Sequence, residues 1–325
     1  MTAPLQPTPV ARPAQLGVGL AFALTSAATF GSSGPMARAL IDAGWTSGGA
    51  VLVRLGGAAV LLLAFAVWRL RGRRWRPSRE DARTVVLYGL IAMAGTQLAF
   101  FNAVRTLDVG VALLLEFLAP VLLLIYSSVR TRTLPRRTTL GGAALTLVGL
   151  LFVLDLTGAG SLDPVGVLWG LAAAGGLAGF FVLSERTPEN LPPVVMAAGG
   201  TAIGAVVIAA AGLVGLVPLA FTATDTVLAG ARVSWLVPAG WLVLASTVAA
   251  YLTGIAAVRR LGSRSASFVA LTEVLFAVLT AWVLLAQLPG IPQLIGGVCI
   301  VTGIVIIQRT GRVRPPQTPT PALDG

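Results

Sequence analysis

Ala103-Val104-Arg105-Thr106-Leu107 stands 154 residues ahead of Ala257-Val258-Arg259-Arg260-Leu261, and the match continues without a gap. Leu134-Pro135 meets Leu288-Pro289 at the same offset, and Leu140, Gly142 and Gly149 meet Leu294, Gly296 and Gly303. Isolated apolar identities mean little in a sequence this rich in Leu, Ala and Val. Shared loop breaks and glycines at one spacing are stronger evidence of a repeat. The offset lays the third to fifth apolar runs over the eighth to tenth, so the unit holds five helices. Five is odd, and the second copy must therefore enter the membrane upside down. Inverted repeats are an architecture of alternating-access carriers, with the site near the midplane between the halves.

The composition requires a bilayer. Of 325 residues, 56% are hydrophobic and 11% charged, with a mean hydropathy of +0.89. An ordinary soluble domain carries about 25% charged residues. That much apolar surface excludes a soluble enzyme, and about 20 apolar residues make one membrane-spanning helix. The pattern predicts helices near 15–33, 47–68, 83–104, 109–129, 138–156, 164–183, 192–213, 235–257, 263–285 and 291–308. The fold expected is all-α and integral to the membrane, ten transmembrane helices as two inverted five-helix repeats over 14–158 and 159–309. Residues 1–13 hold four prolines, and the tail 310–325 holds Pro315, Pro316, Pro319 and Pro321; both read as disordered. Helix 1, with Arg12 before it and small residues at Ser26–Ala28, also has features of a cleavable leader. The repeat argues against cleavage, which would leave one half a helix short. Gly31-Ser32-Ser33-Gly34-Pro35 marks either the end of helix 1 or a break within it.

Arginine placement orients the chain. With the N-terminus inside, the inner side holds Arg12, seven arginines between Arg69 and Arg83, Arg130, Arg132, Arg136, Arg137, Arg186, Arg259, Arg260, Arg264, Arg309, Arg312 and Arg314. The outer side holds Arg38, Arg105 and Arg232, and Arg54 lies within helix 2. This excess predicts a multi-pass protein of the plasma membrane with both termini cytoplasmic. The formal charge of +11 thus belongs to inner loops and implies no nucleic-acid partner.

The chain has one cysteine, Cys299, and no histidine. It therefore lacks an intramolecular disulfide, the commonest metal ligand and the commonest near-neutral proton carrier. It shows no Gly-x-Ser-x-Gly, no Asp pair in a helix and no nucleotide-binding loop. A membrane-embedded enzyme, a primary pump, a metal site and a bound cofactor are all disfavoured.

Three charges fall well inside helices: Arg54, Glu116 and Glu273. A charge at bilayer depth costs at least about 2.5–3.5 kcal/mol on insertion scales. Arg54 lies about two turns from the outer end of helix 2, where snorkelling or a structural ion pair would accommodate it. Glu116, in helix 4, sits at a similar depth, so the two would pair if helices 2 and 4 are neighbours. The glutamates are too short to snorkel from mid-helix. Counting at 1.5 Å per residue puts Glu116 about 12 Å from the outside and Glu273 about 16 Å from the inside, both near the midplane. Without histidine, these carboxylates are the natural proton carriers. Thr96, Gln97 and Asn102 in helix 3 and Ser246, Thr247, Tyr251 and Thr253 in helix 8 form a polar group, and the offset pairs Gln97 with Tyr251. They either line a shared cavity or bond helices together. Gly166–Gly170, Gly175–Gly179 and Gly200–Gly204 read as close helix packing.

Several segments carry a resemblance: Gln97-Leu98-Ala99-Phe100-Phe101, Val104-Arg105-Thr106-Leu107, Leu115-Glu116-Phe117-Leu118-Ala119-Pro120 and Ser127-Ser128-Val129-Arg130 in the first half. In the second half they are Ser246-Thr247, Tyr251, Arg260-Leu261-Gly262-Ser263-Arg264 and Thr272-Glu273. The chain resembles the drug/metabolite transporter superfamily in its ten-helix form with two EamA-type halves, and within it the threonine/homoserine exporter branch. It departs from that pattern in two places. Arg132-Thr133 and Ala286-Gln287 stand where the family often has Gly-Glu, and Glu273-Val274 replaces a Glu-Pro. The resemblance implies export of small amino acids or related metabolites, coupled to protons. Together with the buried charges it nominates Glu116, Glu273, Gln97, Phe101, Phe117 and Tyr251 for substrate binding or coupling, and Arg54 for a structural ion pair. An uncoupled or drug-type exporter is the alternative, and a cavity lined mainly by aromatics would favour it.

Overall fold

The computed structural model describes residues 13–71, 78–132, 134–154, 163–185, 191–270 and 272–310. The two Pro-rich ends lie outside the described residues. The helices run in the order α1 (Pro13–Gly31), α2 (Ser33–Asp42), α3 (Ser47–Leu70), α4 (Arg79–Tyr88), α5 (Thr96–Thr106), α6 (Val109–Glu116), α7 (Ala119–Thr131), α8 (Arg137–Leu154), α9 (Pro164–Glu185), α10 (Pro193–Leu213), α11 (Leu236–Val243), α12 (Ala250–Ala270), α13 (Thr272–Leu285) and α14 (Ile291–Thr310). Two π-helical segments, Gly89–Gly95 and Leu244–Ala249, join α4 to α5 and α11 to α12. The α3 helix, the run Arg79–Thr106, the run Val109–Arg130, α10 and the run Leu236–Ala257 are each long and apolar enough to cross a bilayer. Shorter apolar helices lie at Arg137–Phe152, Pro164–Phe180, Thr272–Leu285 and Ile291–Ile307.

Four departures from the expected helices have local causes. The first helix does not end at 33. It breaks at Ser32 and resumes as α2, with Pro35 in the first turn, where a missing N–H costs no helical bond. The run 109–129 is not one helix. Pro120 has no N–H for the Glu116 carbonyl, so α6 ends at Glu116 and α7 restarts at Ala119. The π segments interrupt helices 3 and 8. A hairpin, β1 (Thr226–Leu228) and β2 (Ala231–Val233), pairs Thr226 with Val233 around Ala229 and Gly230. Both turn residues have positive φ, +51° and +76°, the combination a two-residue type I′ turn needs.

Several helix contacts can be compared under the 154-residue offset. Under it α8 corresponds to α14, and these helices cross antiparallel through their glycines. A Cβ on Gly142 would stand 2.8 Å from the Gly303 carbonyl oxygen, and one on Gly149 would stand 2.6 Å from that of Gly296. The α1 helix packs on α12 and α13, while its counterpart α9 packs on α5 and α6. Leu261 lies against Gly19, whereas the Glu273 backbone lies against Gly31. Ser26 Oγ donates to the Ala250 carbonyl at 2.8 Å, so from Ala250 to Leu261 the chain runs from Ser26 back toward Gly19, antiparallel to α1, and it must turn back to reach Gly31 at Glu273. One end of the bundle is stitched by the segment before the hairpin. Thr46 Oγ1 donates to the Pro218 carbonyl (2.7 Å), and Trp45 Nε1 donates to the Thr222 carbonyl (2.8 Å).

Candidate functional site

Arg54, in α3, is 2% exposed. Its Nε donates to Thr247 Oγ1 at 3.0 Å, its Nη1 to Gln97 Oε1 at 2.6 Å and its Nη2 to the Ser246 carbonyl at 3.1 Å. The guanidinium carbon stands 5.5 Å from the centre of the buried Phe101 ring. The second π segment supplies two of these partners. Its widened turn shifts carbonyls off the regular ladder. Within it, Thr247 Oγ1 donates to the Leu242 carbonyl at 2.8 Å while accepting from Arg54.

Tyr251 begins the first turn after that segment. Its hydroxyl donates to Met93 Sδ at 3.3 Å, inside the other π segment, and it interacts with the Tyr88 hydroxyl. Its ring meets Phe30 of α1 edge-on, with centroids 5.2 Å apart. Arg54 and Tyr251 thus tie each π segment to the opposite half of the chain. The π segments themselves obey the offset, since Gly89–Gly95 maps onto 243–249.

The acids sit where helices stop. Glu116 is the last residue of α6 and Glu273 the second of α13. A carboxylate at the first turn of α13 complements the helix dipole, whereas one at the C-terminus of α6 opposes it. Both residues are half-buried. Among the described residues, neither carboxylate enters an ion pair or a hydrogen bond. Both are close enough for their charges to act on Arg54 and on each other. Arg54 and Glu116, which would pair if their helices were neighbours, make no ion pair in this structure. The ion pair found among the described residues is Arg38 with Asp42, at 2.9 Å on the surface. Arg54 is instead held by neutral oxygens.

Of the residues nominated from sequence, Gln97 and Phe101 contact Arg54, and Glu116, Glu273 and Tyr251 lie near enough for their charges to act on it; Phe117 has no such link. Gln97 and Phe101 hold or face Arg54, Phe117 caps α6 and packs half-buried against the core, and Tyr251 spans to Met93. Sequence reasoning missed Phe30, Met93 and Tyr88. It also missed the π geometry that turns Ser246 and Thr247 into arginine ligands. Gly89 and Gly95 were a weak cue to the first π segment, and the second, Leu-Ala-Ser-Thr-Val-Ala, has no such cue. A cleft of about 560 Å³ lies between α6, α13 and α14; Thr272 and Val274, the neighbours of Glu273, line it, but Arg54 and the two acids do not. Its lining is largely apolar and includes the exposed Leu275 and Val298, as a lipid-facing groove would be.

A profile of the EamA-like transporter family matches the chain twice, over residues 17–155 and 164–309. The chain belongs to the EamA-like transporter family. As an EamA-like protein it is a membrane-embedded transporter-family member with a small-molecule substrate. It is 22% identical over 303 residues to the "Uncharacterized inner membrane transporter YicL" of Salmonella typhimurium, covering 91% of this chain and 97% of that protein. It is 26% identical over 153 residues to the threonine/homoserine exporter RhtA of Escherichia coli, covering 46% of this chain and 48% of RhtA. The match thus spans about half the length of RhtA. A solved crystal structure matches at 20% identity with a TM-score of 0.55, over 91% of this chain and 96% of the other. At that identity the likeness concerns the fold alone.

Proposed function

We propose that this EamA-like protein is a secondary transporter that exports small amino acids or related metabolites across the plasma membrane by alternating access, driven by protons. Its two halves, 14–158 and 159–309, act as inverted five-helix repeats with both termini in the cytoplasm. The antiparallel contact of the offset-related helices α8 and α14 supports the inversion, because equivalent helices in parallel repeats would run the same way. The observation that carries the function is the meeting of Glu116, Glu273, Gln97, Tyr251 and Arg54 between helix interruptions contributed by both halves. Irregular backbone at membrane depth is tolerated where it lines a cavity or is buried in protein. Carriers of this architecture bind at such interruptions. In this reading Glu116 and Glu273 exchange protons for the substrate ammonium, and competition between the two couples the fluxes. The partial match to RhtA supports amino-acid export.

The test is uptake into proteoliposomes holding the purified chain, with labelled amino acids and an imposed proton gradient. Wild-type protein should accumulate at least one small amino acid. Glu273→Gln should fold yet lose gradient-driven uptake while keeping exchange, and Glu116→Gln should also weaken substrate binding. Wild-type gradient-driven rates in a folded Glu116→Gln, Glu273→Gln double variant would sink the coupling proposal.

A further inference from the structure

Arg54 has five N–H donors, and three find acceptors: Thr247 Oγ1, Gln97 Oε1 and the Ser246 carbonyl. None of those acceptors is charged. A fully buried guanidinium hydrogen-bonded only to neutral oxygens is costly, because its lost hydration is offset only in part by acids that act on it from a distance. A structural role would be met more simply by direct contact with Glu116 or Glu273, yet no carboxylate oxygen lies within 4 Å of it among the described residues. The Ser246 hydroxyl beside it is buried and has no partner. Phe101 backs one side of the guanidinium, leaving a planar fork with spare donors. That fork suits a carboxylate, which Arg binds through two parallel N–H bonds.

We propose that Arg54 is the anion-recognition residue of this carrier and takes the α-carboxylate of an amino-acid substrate. The inference rests on the transporter reading and deepens it. A zwitterion carries its ammonium and carboxylate on one carbon, so a single ligand can bridge Arg54 to an acid that Arg54 does not reach itself. The carboxylate replaces Gln97 Oε1 on Nη1 and uses a spare N–H, while the ammonium faces Glu116 or Glu273. Buried Arg54 and the two half-buried acids then form one site with a cationic and an anionic pole. Arg54 also bonds the second π segment, through Thr247 and Ser246, and Gln97, two residues beyond the end of the first. The same contact therefore reports substrate occupancy to both halves. Molecules with only one of the two charged groups fill half the site and bind weakly.

The experiment is uptake and counterflow in proteoliposomes with the full chain. Three labelled sets are compared: a mixture of the common amino acids, the amines made from them by decarboxylation, and the matching carboxylic acids lacking the amine. Amino acids should be taken up, with both other sets weaker by at least about tenfold, the size expected for losing a charge-assisted hydrogen-bonded pair. Arg54→Gln should erase the preference of amino acids over amines. Amines carried as well as amino acids by the wild type would overturn the role of Arg54 and leave the transporter reading intact. Uptake of none of the three sets would overturn both. The wild-type comparison does not depend on any variant folding. A folded Arg54→Gln protein that keeps wild-type selectivity would equally remove Arg54 from the site.

Discussion

Arg132 and Ala286 are mates under the 154-residue offset, and both take left-handed backbone, with φ of 51° and 54°. Each ends a helix, α7 and α13, at the position where glycine usually stands because it has no Cβ to clash. Both side chains are exposed. Arg132→Gly and Ala286→Gly should therefore each stabilise the protein, by about 0.5–1 kcal/mol, seen as a higher Tm in detergent. A lower Tm would mean that the side chain makes a contact worth more than the backbone strain. Arg54 gives a sharper case. Arg54→Leu leaves the Gln97 amide, the Thr247 hydroxyl and the Ser246 carbonyl without their donor, and folded yield should drop by the cost of buried polar groups left unsatisfied, about 1–3 kcal/mol. Adding Glu116→Gln should restore nothing, since the two residues do not touch, and recovery of yield in the double variant would reveal a direct pair. The identity of Arg54 and the two acids was legible in the sequence because so few charges occur in apolar runs. The partners of Arg54 were not, because they depend on how π turns rotate Ser246 and Thr247 toward α3.

Helix breaks are the next scale, and they were only partly legible. The Pro35 region was marked as an interruption, but α2 beyond it was not expected, since proline in a first turn looks the same as proline after a helix end. The Pro120 break escaped notice because hydropathy runs unchanged through Leu118 and Val121. Glycine contacts read more directly. Gly142 and Gly303 meet across α8 and α14, and Gly31 meets the backbone of α13, where a Cβ would stand 2.7 Å from the Glu273 carbonyl oxygen. At each of these points a backbone carbonyl stands within 3 Å of the added Cβ, and that neighbour cannot yield as a flexible side chain would. Gly142→Val or Gly303→Val should force α8 and α14 apart and cost about 1–3 kcal/mol, the usual range for overpacking. Gly31→Val should do the same and also displace Glu273, so transport should fall further than stability alone accounts for. Thermal melts beside uptake assays would check this, and equal losses in both measurements for all three variants would argue that Gly31 only packs.

For the whole molecule, the helical, membrane-spanning character was written in composition, because lipid fixes helix length. The hairpin at Thr226–Val233 was not, since its turn is Ala229-Gly230 and its strands are only three residues each. The proposed sidedness rests on arginine counts alone, and labelling tests it. Cys299 is the sole cysteine, so Cys299→Ala gives a silent background. Glu80 and Ala223 are both exposed. They lie toward opposite ends of α3, since Thr46 at its N-terminus bonds Ala220 while Glu80 follows its C-terminus across the Arg69–Arg83 stretch. In intact cells an impermeant thiol reagent should modify Ala223→Cys and spare Glu80→Cys, and permeabilisation should expose the second. The reverse pattern would turn the protein over in the membrane and move the arginine-rich loop outside. Labelling of both from outside would mean that α3 does not cross the bilayer, which would dismantle the repeat, the shared depth of Arg54 and the two acids, and with them the proposed site.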